Sequence, residues 1–434
     1  MRIVLITPGT GNFYCGVCLR DEALGKAFRQ MGHEVESLPV YLPLVHESAA
    51  PEEDAESAIF FGGINAYLQQ LSPLFRHSPR LLDRQLDRRG ILDFAARMSE
   101  MTDPSKLGAM TLSMLEGESG RQRKELVRMI EYLRKEPPPD LICLATALQA
   151  GMIRSLRAAF PSARIACFFQ GEDEFIDALS GGYAERCWKE LALRSAEADR
   201  LIVPSVYFRE RIAAGLRIAP DLIQVIPNGI DLEDFPEKPL PKTGNPRIGY
   251  LARMCSEKGL DTLVDAFIKL DGRNPAIKAS LRVVGVMRRS DEKYLQIQKE
   301  KLAAAGLEER AEFLPNVTRA EKIAALADCS VFSVPARYSE AFGLYVVEAL
   351  AAGVPCVLPE HSAFPELIEN GKQGLIYRPH DSEALSTALE QALNPGDQLP
   401  EWGESAARRA RKYYDIATTA SSILKTCADS AGES

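Results

Sequence analysis

Histidine and tryptophan are scarce in this chain of 434 residues, with five and two copies. The histidines, His33, His46, His77, His361 and His380, do not cluster in sequence, so none marks a metal site of the usual close ligand spacing. No stretch approaches the roughly 18 to 20 apolar residues that span a bilayer. The opening 2–8 lacks both the length and the cleavage signal of a secretory segment. Lys and Arg number 52 against 60 Asp and Glu, a net charge of −8, with no long basic run, which argues against nucleic acid as a partner. Together these absences suggest a cytoplasmic protein. Nine cysteines sit mostly alone in apolar runs, as Cys143, Cys167, Cys329 and Cys356 do, and read as buried thiols. Cys15 and Cys18 are the one close pair. Packing or loop structure accounts for them, since a redox dithiol or half a metal site would lack a second cluster.

What is present is ample apolar content, 46%, spread over more chain than one core prefers, so two domains are expected. The pattern opens β-α-β, with a strand over 2–7, a glycine-bearing loop, a helix over 19–31 and a strand over 33–38. A dinucleotide fingerprint fails there, because Gly9 and Gly11 are followed by Tyr14 where a third glycine is needed. Residues 42–120 break the alternation and read as an insertion carrying Phe60, Phe61, Tyr67 and a basic group, Arg76, Arg80, Arg84, Arg88 and Arg89. A solvated face accounts for those arginines, and a contact with anionic lipid or polymer is the functional alternative.

Strand and helix then alternate to about residue 203. The segment 233–246, rich in Pro, Lys, Asp and Glu, reads as a linker. A second βα series runs from Arg247 to about 392, and 405–424 reads as helix. The expected organisation is an α/β chain of two doubly wound, Rossmann-like domains facing across a cleft. They comprise 1–235 with its insertion, 236–400, and a helical segment 401–434 returning toward the first domain.

Ligands of open parallel sheets bind beyond the carboxyl ends of the strands, so the loops there hold the candidates. Ser339-Glu340-Ala341-Phe342-Gly343 follows one strand and leads into a helix at Leu344, where free N–H groups and a glycine suit a diphosphate. Glu340 and Glu348 present carboxylates that accept hydroxyl hydrogens of a sugar or ribose. Equally, acids near a helix start favour its dipole. Arg253 and Lys258 follow the first strand of the second series and suit a diphosphate and a leaving group, or are ordinary surface charge.

The spacing Glu340-Ala-Phe-Gly-Leu-Tyr-Val-Val-Glu348, with Arg253 and Lys258 before it and Pro227-Asn228-Gly229-Ile230-Asp231 before those, resembles the retaining GT-B glycosyltransferases of family 4, the glycogen-synthase-like and sucrose-synthase-like group. The resemblance covers nearly all of the chain outside 42–120. It implies that Glu340 contacts hydroxyls of the transferred sugar, that Glu348 holds the ribose, and that Gly343 and Leu344, with Phe342 in the core of the motif, approach the phosphates. Gly16 stands where relatives place a glycine loop near the first helix. Two departures stand out. Gln170 occupies a position where relatives commonly carry histidine, which leaves Glu172 and Asp173 as nearby acids or helix caps. Ser362-Ala363 replaces a Gly-Gly pair.

The implied reaction moves a sugar from a UDP, GDP or ADP donor to an unidentified acceptor hydroxyl with retention, without a cofactor or metal. Arg253, Lys258, Glu340 and Gln170 would lie at the reacting centre. The implied location is cytoplasmic, with peripheral contact at the inner face of a membrane as a further expectation. A nucleotide-sugar epimerase of similar plan and a non-catalytic sugar-binding or scaffold protein are the alternatives.

Overall fold

The structure is a computed structural model and describes residues 1–8, 16–40, 107–242, 244–394 and 398–428. It divides into two compact units, one of Met1–Ile226 with Thr419–Ser434, the other Pro227–Thr418.

The first unit holds a six-stranded sheet built from β1 (Arg2–Thr7), β2 (Glu34–Pro39), β3 (Leu141–Leu144), β4 (Arg164–Phe168), β5 (Arg200–Val203) and β6 (Ile223–Val225), in the order β2-β1-β3-β4-β5-β6. Neighbouring strands run parallel, so helices cover both faces and the central strands need no polar side: Ile3 to Ile6 and Leu141 to Leu144 are all buried. Two elements are additional to the pattern read from sequence. Strand β6 is only three residues long, and the helix Val206–Leu216 starts on Ser205, whose hydroxyl accepts from Phe208 N at 3.1 Å as an N-cap.

The second unit carries β7 (Arg247–Leu251), β8 (Ser280–Gly285), β9 (Ala311–Pro315), β10 (Val331–Phe332), β11 (Cys356–Pro359) and β12 (Gly374–Tyr377), in the order β12-β11-β10-β7-β8-β9. Numbered within the unit this is 6-5-4-1-2-3, the Rossmann order, with its topological switch between β7 and β10. The expected doubly wound architecture is therefore present in both units.

The segment expected to be a linker belongs to the second unit. Phe235 is 4% exposed in that unit's core, the Lys242 ammonium donates to the carbonyl of Ala327, and Arg319 donates to Asp234 at 2.8 Å. The division accordingly falls after Ile226 instead of near 235. The C-terminal segment is also split. The helix Gln398–Tyr413 packs on the helix Leu344–Ala351 of the second unit, and the chain is pinned where Ile230 N donates to Tyr414 O and Ile416 N to Ile230 O. Only from Thr419, within the helix Ile416–Ala428, does it count with the first unit, where Arg200 Nε donates to Thr426 O at 2.9 Å. Of the expected insertion, the helix Gly108–Leu115 packs on the helix Tyr183–Ser195, while Phe60, Phe61, Tyr67 and the arginines 76–89 lie outside the described residues.

Candidate active site

The switch between β7 and β10 brings together two loops whose paired residues Lys258 and Glu340 are 82 positions apart in the chain. The loop after β7 ends in a short 3₁₀ turn, Ser256–Lys258, and then Gly259 at φ 71°, where a Cβ would stand 1.9 Å from the carbonyl oxygen of Pro335. Only glycine allows that approach. Arg337 N donates to Glu257 O at 2.9 Å and fastens the second loop to the first.

Across this junction Lys258 Nζ donates to Glu340 Oε2 at 2.7 Å. The same oxygen accepts from the hydroxyls of Tyr345 at 2.7 Å and Tyr338 at 3.1 Å. The ammonium also lies 4.5 Å from the ring centroid of Tyr338 and 4.9 Å from that of Tyr345, so both aromatics serve it as cation–π partners. Burial alone would raise the Glu340 carboxyl, but the Lys258 ammonium and the two tyrosine hydroxyls outweigh it and hold the group below its ordinary value, so it is a carboxylate at neutral pH. Burial, followed by the neighbouring carboxylate, pushes the Tyr345 hydroxyl well above its ordinary value and keeps it a donor. All three donors end on Oε2, which leaves Oε1 as the carboxylate's second acceptor.

Gly343 has φ 104°, a left-handed conformation that lets the chain turn from this loop into the helix Leu344–Ala351. Leu344 is half-buried at its first position. Phe342 is 5% exposed and packs edge-on against Tyr414 at 5.8 Å, so its side chain anchors the loop in the core and does not line the site. Five residues into the helix, Glu348 Oε1 accepts from Lys322 Nζ at 2.8 Å. Ser362 takes φ 55° and its hydroxyl bonds His361 Nδ1 at 2.6 Å, while Ala363 is buried and its N–H donates to Glu340 O at 3.3 Å. His361 Nε2 is 2.9 Å from Ala336 O, which makes that nitrogen the donor, and burial lowers the imidazole's pKa.

Arg253 is held apart from the Lys258 and Glu340 pair. Its Nε and Nη2 donate to the two oxygens of Asp291 at 2.9 and 2.6 Å, and Asp291 also accepts from Arg288 N at 3.1 Å. Burial would raise the Asp291 carboxyl, and Arg253 together with the N–H and charge of Arg288 more than reverses it. Arg253 is thus a guanidinium oriented by a carboxylate, with Nη1 on its other side.

In the first unit Gly16 begins the helix Gly16–Gln30 beyond β1. Gln170 follows β4, and its backbone N–H donates to Glu172 Oε2 at 2.6 Å. Glu172 is a brace: Gly171 N also donates to Oε2, and Thr146 Oγ1 and Ala147 N donate to Oε1 at 2.5 and 2.9 Å, joining the ends of β3 and β4. Asp173 pairs with Arg211 Nε at 3.1 Å. Gly171 stands at the N-cap of their helix, and both acids serve that helix start from its first turn: Glu172 accepts from Gly171 N and Asp173 from the Glu174 N–H. The described cysteines, Cys143, Cys167, Cys187, Cys255, Cys329, Cys356 and Cys427, are free and buried, with Cys255 and Cys329 pushed up to about 11 by burial. Cys15 and the side chain of Cys18 lie outside the described residues. Among the described residues, no three His, Cys, Asp or Glu side chains converge to hold a metal ion.

Tyr338, Tyr345, Asp291 and Lys322 were not legible as site residues. Tyr345 sits inside the nine-residue motif and Tyr338 just before it, so an eye on polar aromatics there would have found both. Asp291 and Lys322 carry no local signal.

Residues 231–409 match the family Glycosyl transferases group 1, and residues 111–234 match Glycosyltransferase Family 4. A phosphatidyl-myo-inositol mannosyltransferase of Mycobacterium leprae is 35% identical over 206 residues, which is 46% of this chain and 52% of that protein. A glycogen synthase of Mycobacterium tuberculosis is 27% identical, over 53% of this chain and 54% of that protein. The chain thus spans about half the length of these curated relatives. Among solved structures, that of the Anabaena protein HepE in complex with UDP aligns at a TM-score of 0.67 and 15% identity, covering 99% of this chain and all of that one. Sucrose-phosphate synthase from Thermosynechococcus elongatus aligns at 0.67 and 18%, covering 98% of each. These two likenesses are of fold. With two Rossmann-like sheets, the glutamate pair in its expected frame and consecutive matches from residue 111 to 409, the chain belongs to the GT-B glycosyltransferases of family 4, the glycogen-synthase-like and sucrose-synthase-like group.

Proposed function

We propose that this protein is a retaining glycosyltransferase that moves a hexosyl unit from a nucleoside-diphosphate sugar to an acceptor hydroxyl. The observation that carries the reading is the Lys258 and Glu340 pair at the switch point, where, among the described residues, three donors converge on one carboxylate oxygen and the other remains an acceptor. The solved HepE complexes with UDP and UDP-glucose support a donor of this chemical class.

An ammonium has three N–H donors, so Lys258 can hold Glu340 and still donate to a phosphate oxygen. In the proposed reaction the bond between the anomeric carbon and the diphosphate oxygen breaks, and its electron pair leaves on that oxygen. Lys258 and Arg253 stabilise the charge as it develops, which lowers the barrier more than it tightens the ground state. The acceptor oxygen bonds to the anomeric carbon on the same face, and its proton passes to the departing phosphate. Glu340 accepts hydrogen bonds from hydroxyls of the transferred sugar, Glu348 from the ribose, and the start of the helix at Gly343 and Leu344 faces the phosphates. Gln170 contributes a hydrogen bond without the positive charge an imidazolium would bring.

The acceptor is a hydroxyl compound. The named activity of the mycobacterial relative, a phosphatidyl-myo-inositol mannosyltransferase, favours a polyol on a lipid, and a cytoplasmic enzyme peripheral to a membrane goes with it. Among the described residues, no helix is long and apolar enough to cross a membrane.

The test incubates the protein with UDP-, GDP- and ADP-linked hexoses and a panel of polyol, glycan and lipid acceptors, and follows products by mass and NMR. Glycosylated product with the donor's anomeric configuration supports the proposal. Inverted product refutes retention, epimerised donor alone supports an epimerase, and nucleotide binding without product across the panel supports a binding protein.

A further inference from the structure

Lys322 is a buried lysine with no role in the reaction described above. It stands in the first turn of the helix Arg319–Ala327, whose start is locked by a capping box: Thr318 Oγ1 accepts from Glu321 N, and Glu321 Oε2 accepts from Thr318 N at 2.8 Å. The ammonium donates to one partner among the described residues, Glu348 Oε1 at 2.8 Å. Lysines are seldom buried unless paired, and a buried ion pair stabilises a fold no better than apolar side chains of the same volume. Packing alone therefore does not call for this pair. Its side chains retain similar slight exposure, 11% for Lys322 and 14% for Glu348, so it is not sealed inside the unit.

The arrangement repeats that at Glu340. Each glutamate commits one oxygen to a lysine, Glu340 through Oε2 and Glu348 through Oε1, and keeps the other as an acceptor. Glu348 is also close to the proposed phosphate site at Gly343 and Leu344, about 6 to 7.5 Å along the axis at 1.5 Å per residue. That is within a Debye length, so an unpaired carboxylate there would repel a diphosphate.

We infer that Lys322 is a positioning residue that holds Glu348 with one carboxylate oxygen facing the ribose diol and neutralises it beside the diphosphate, and so sets a preference for ribonucleotides. The inference rests on the proposed nucleotide-sugar reading of this site.

The experiment measures binding of UDP, GDP and ADP, each against its 2′,3′-dideoxy counterpart, by calorimetry on the full chain. The wild type should prefer the ribose form of its nucleotide by about tenfold or more, the scale of a hydrogen bond to a charged group. Lys322→Met and the polar but uncharged and shorter Lys322→Gln should reduce that preference to below about threefold, Lys322→Arg should keep it, and Glu348→Gln should add no further loss to Lys322→Met. Using two neutral replacements guards against one that does not fold. An unchanged preference in both, or an equal loss for ribose and dideoxy forms, overturns the inference while leaving nucleotide binding intact. If none of the three nucleotides binds the wild type, the functional reading itself fails and the inference with it.

Discussion

Replacing Lys258 by methionine isolates the electrostatics of the site, because the thioether fills the space between the Tyr338 and Tyr345 rings while the charge is lost. Glu340 then stays buried with two hydroxyl donors and no cation. Removing one partner of a buried pair costs about 3 to 5 kcal/mol, and because Lys258 and Glu340 keep 17% and 15% of their side-chain exposure the low end applies, about 3 kcal/mol. For a unit the size of Pro227–Thr418 each kcal/mol moves Tm by about 2 to 4 °C, so a drop of about 6 to 12 °C is expected at neutral pH. The loss depends on pH with a defined sign. In the wild type the folded pKa of Glu340 lies below the ordinary 4.5, so its stabilisation is present above 4.5 and is lost as pH falls through the lowered value. In the variant, burial without the ammonium raises the folded value above 4.5, and the carboxylate destabilises increasingly as pH rises. Thermal unfolding monitored by circular dichroism at pH 4 and pH 8 should therefore show a small difference from wild type at pH 4 and the full one at pH 8. The double variant Lys258→Met with Glu340→Gln, which removes the stranded charge, should recover most of the loss. Equal losses at both pH values, or a double variant no more stable than Lys258→Met, would refute the reasoning.

Glu340→Gln alone should harm turnover more than folding: kcat should fall about tenfold to a hundredfold, from a lost hydrogen bond to a charged acceptor, with Tm changing by only a few degrees because the amide oxygen and the Tyr338 and Tyr345 rings still receive the Lys258 ammonium. Transfer rates beside a melting curve decide it, and unchanged activity removes Glu340 from the site. Asp291→Asn should cost only about 1 kcal/mol of stability, because Arg253 is 34% exposed and water screens the pair, yet it should raise the donor KM as Arg253 loses its bidentate anchor. Wild-type kinetics in that variant would contradict the assignment of Arg253. Gly259→Ala places a side chain at φ 71° with its Cβ 1.9 Å from Pro335 O, so a loss of at least about 1 to 3 kcal/mol from backbone strain is expected, together with parting of Lys258 from Glu340 and lost activity. Normal stability in urea would show that the two loops do not need this close approach.

Much of the fold was legible because parallel strands covered on both faces must be apolar throughout. Ile3 to Ile6, Leu141 to Leu144 and Cys356 to Leu358 are such runs, and all are fully buried strands. Segments whose state depends on their neighbours were harder. Residues 233–242 have a linker's composition yet line the second unit, because Phe235 packs into its apolar core and the Lys242 ammonium donates to the Ala327 carbonyl. The helix pattern over 405–424 likewise concealed a break near Tyr414 and Asp415, made by pairing with Ile230.

By itself the sequence determined the two βα series and the frame of Glu340, Gly343, Leu344 and Glu348, because periodicity and motif spacing are local properties of a chain. Tertiary structure alone decided which charges meet. The strand order β12-β11-β10-β7-β8-β9 sets the loop of Lys258 against the loop of Glu340 and sends Arg253 to Asp291. Lys322 finds Glu348 across two helices. Contacts between residues tens of positions apart follow from how sheets stack their connections, and the interaction between two charges depends on the distance and burial that stacking imposes.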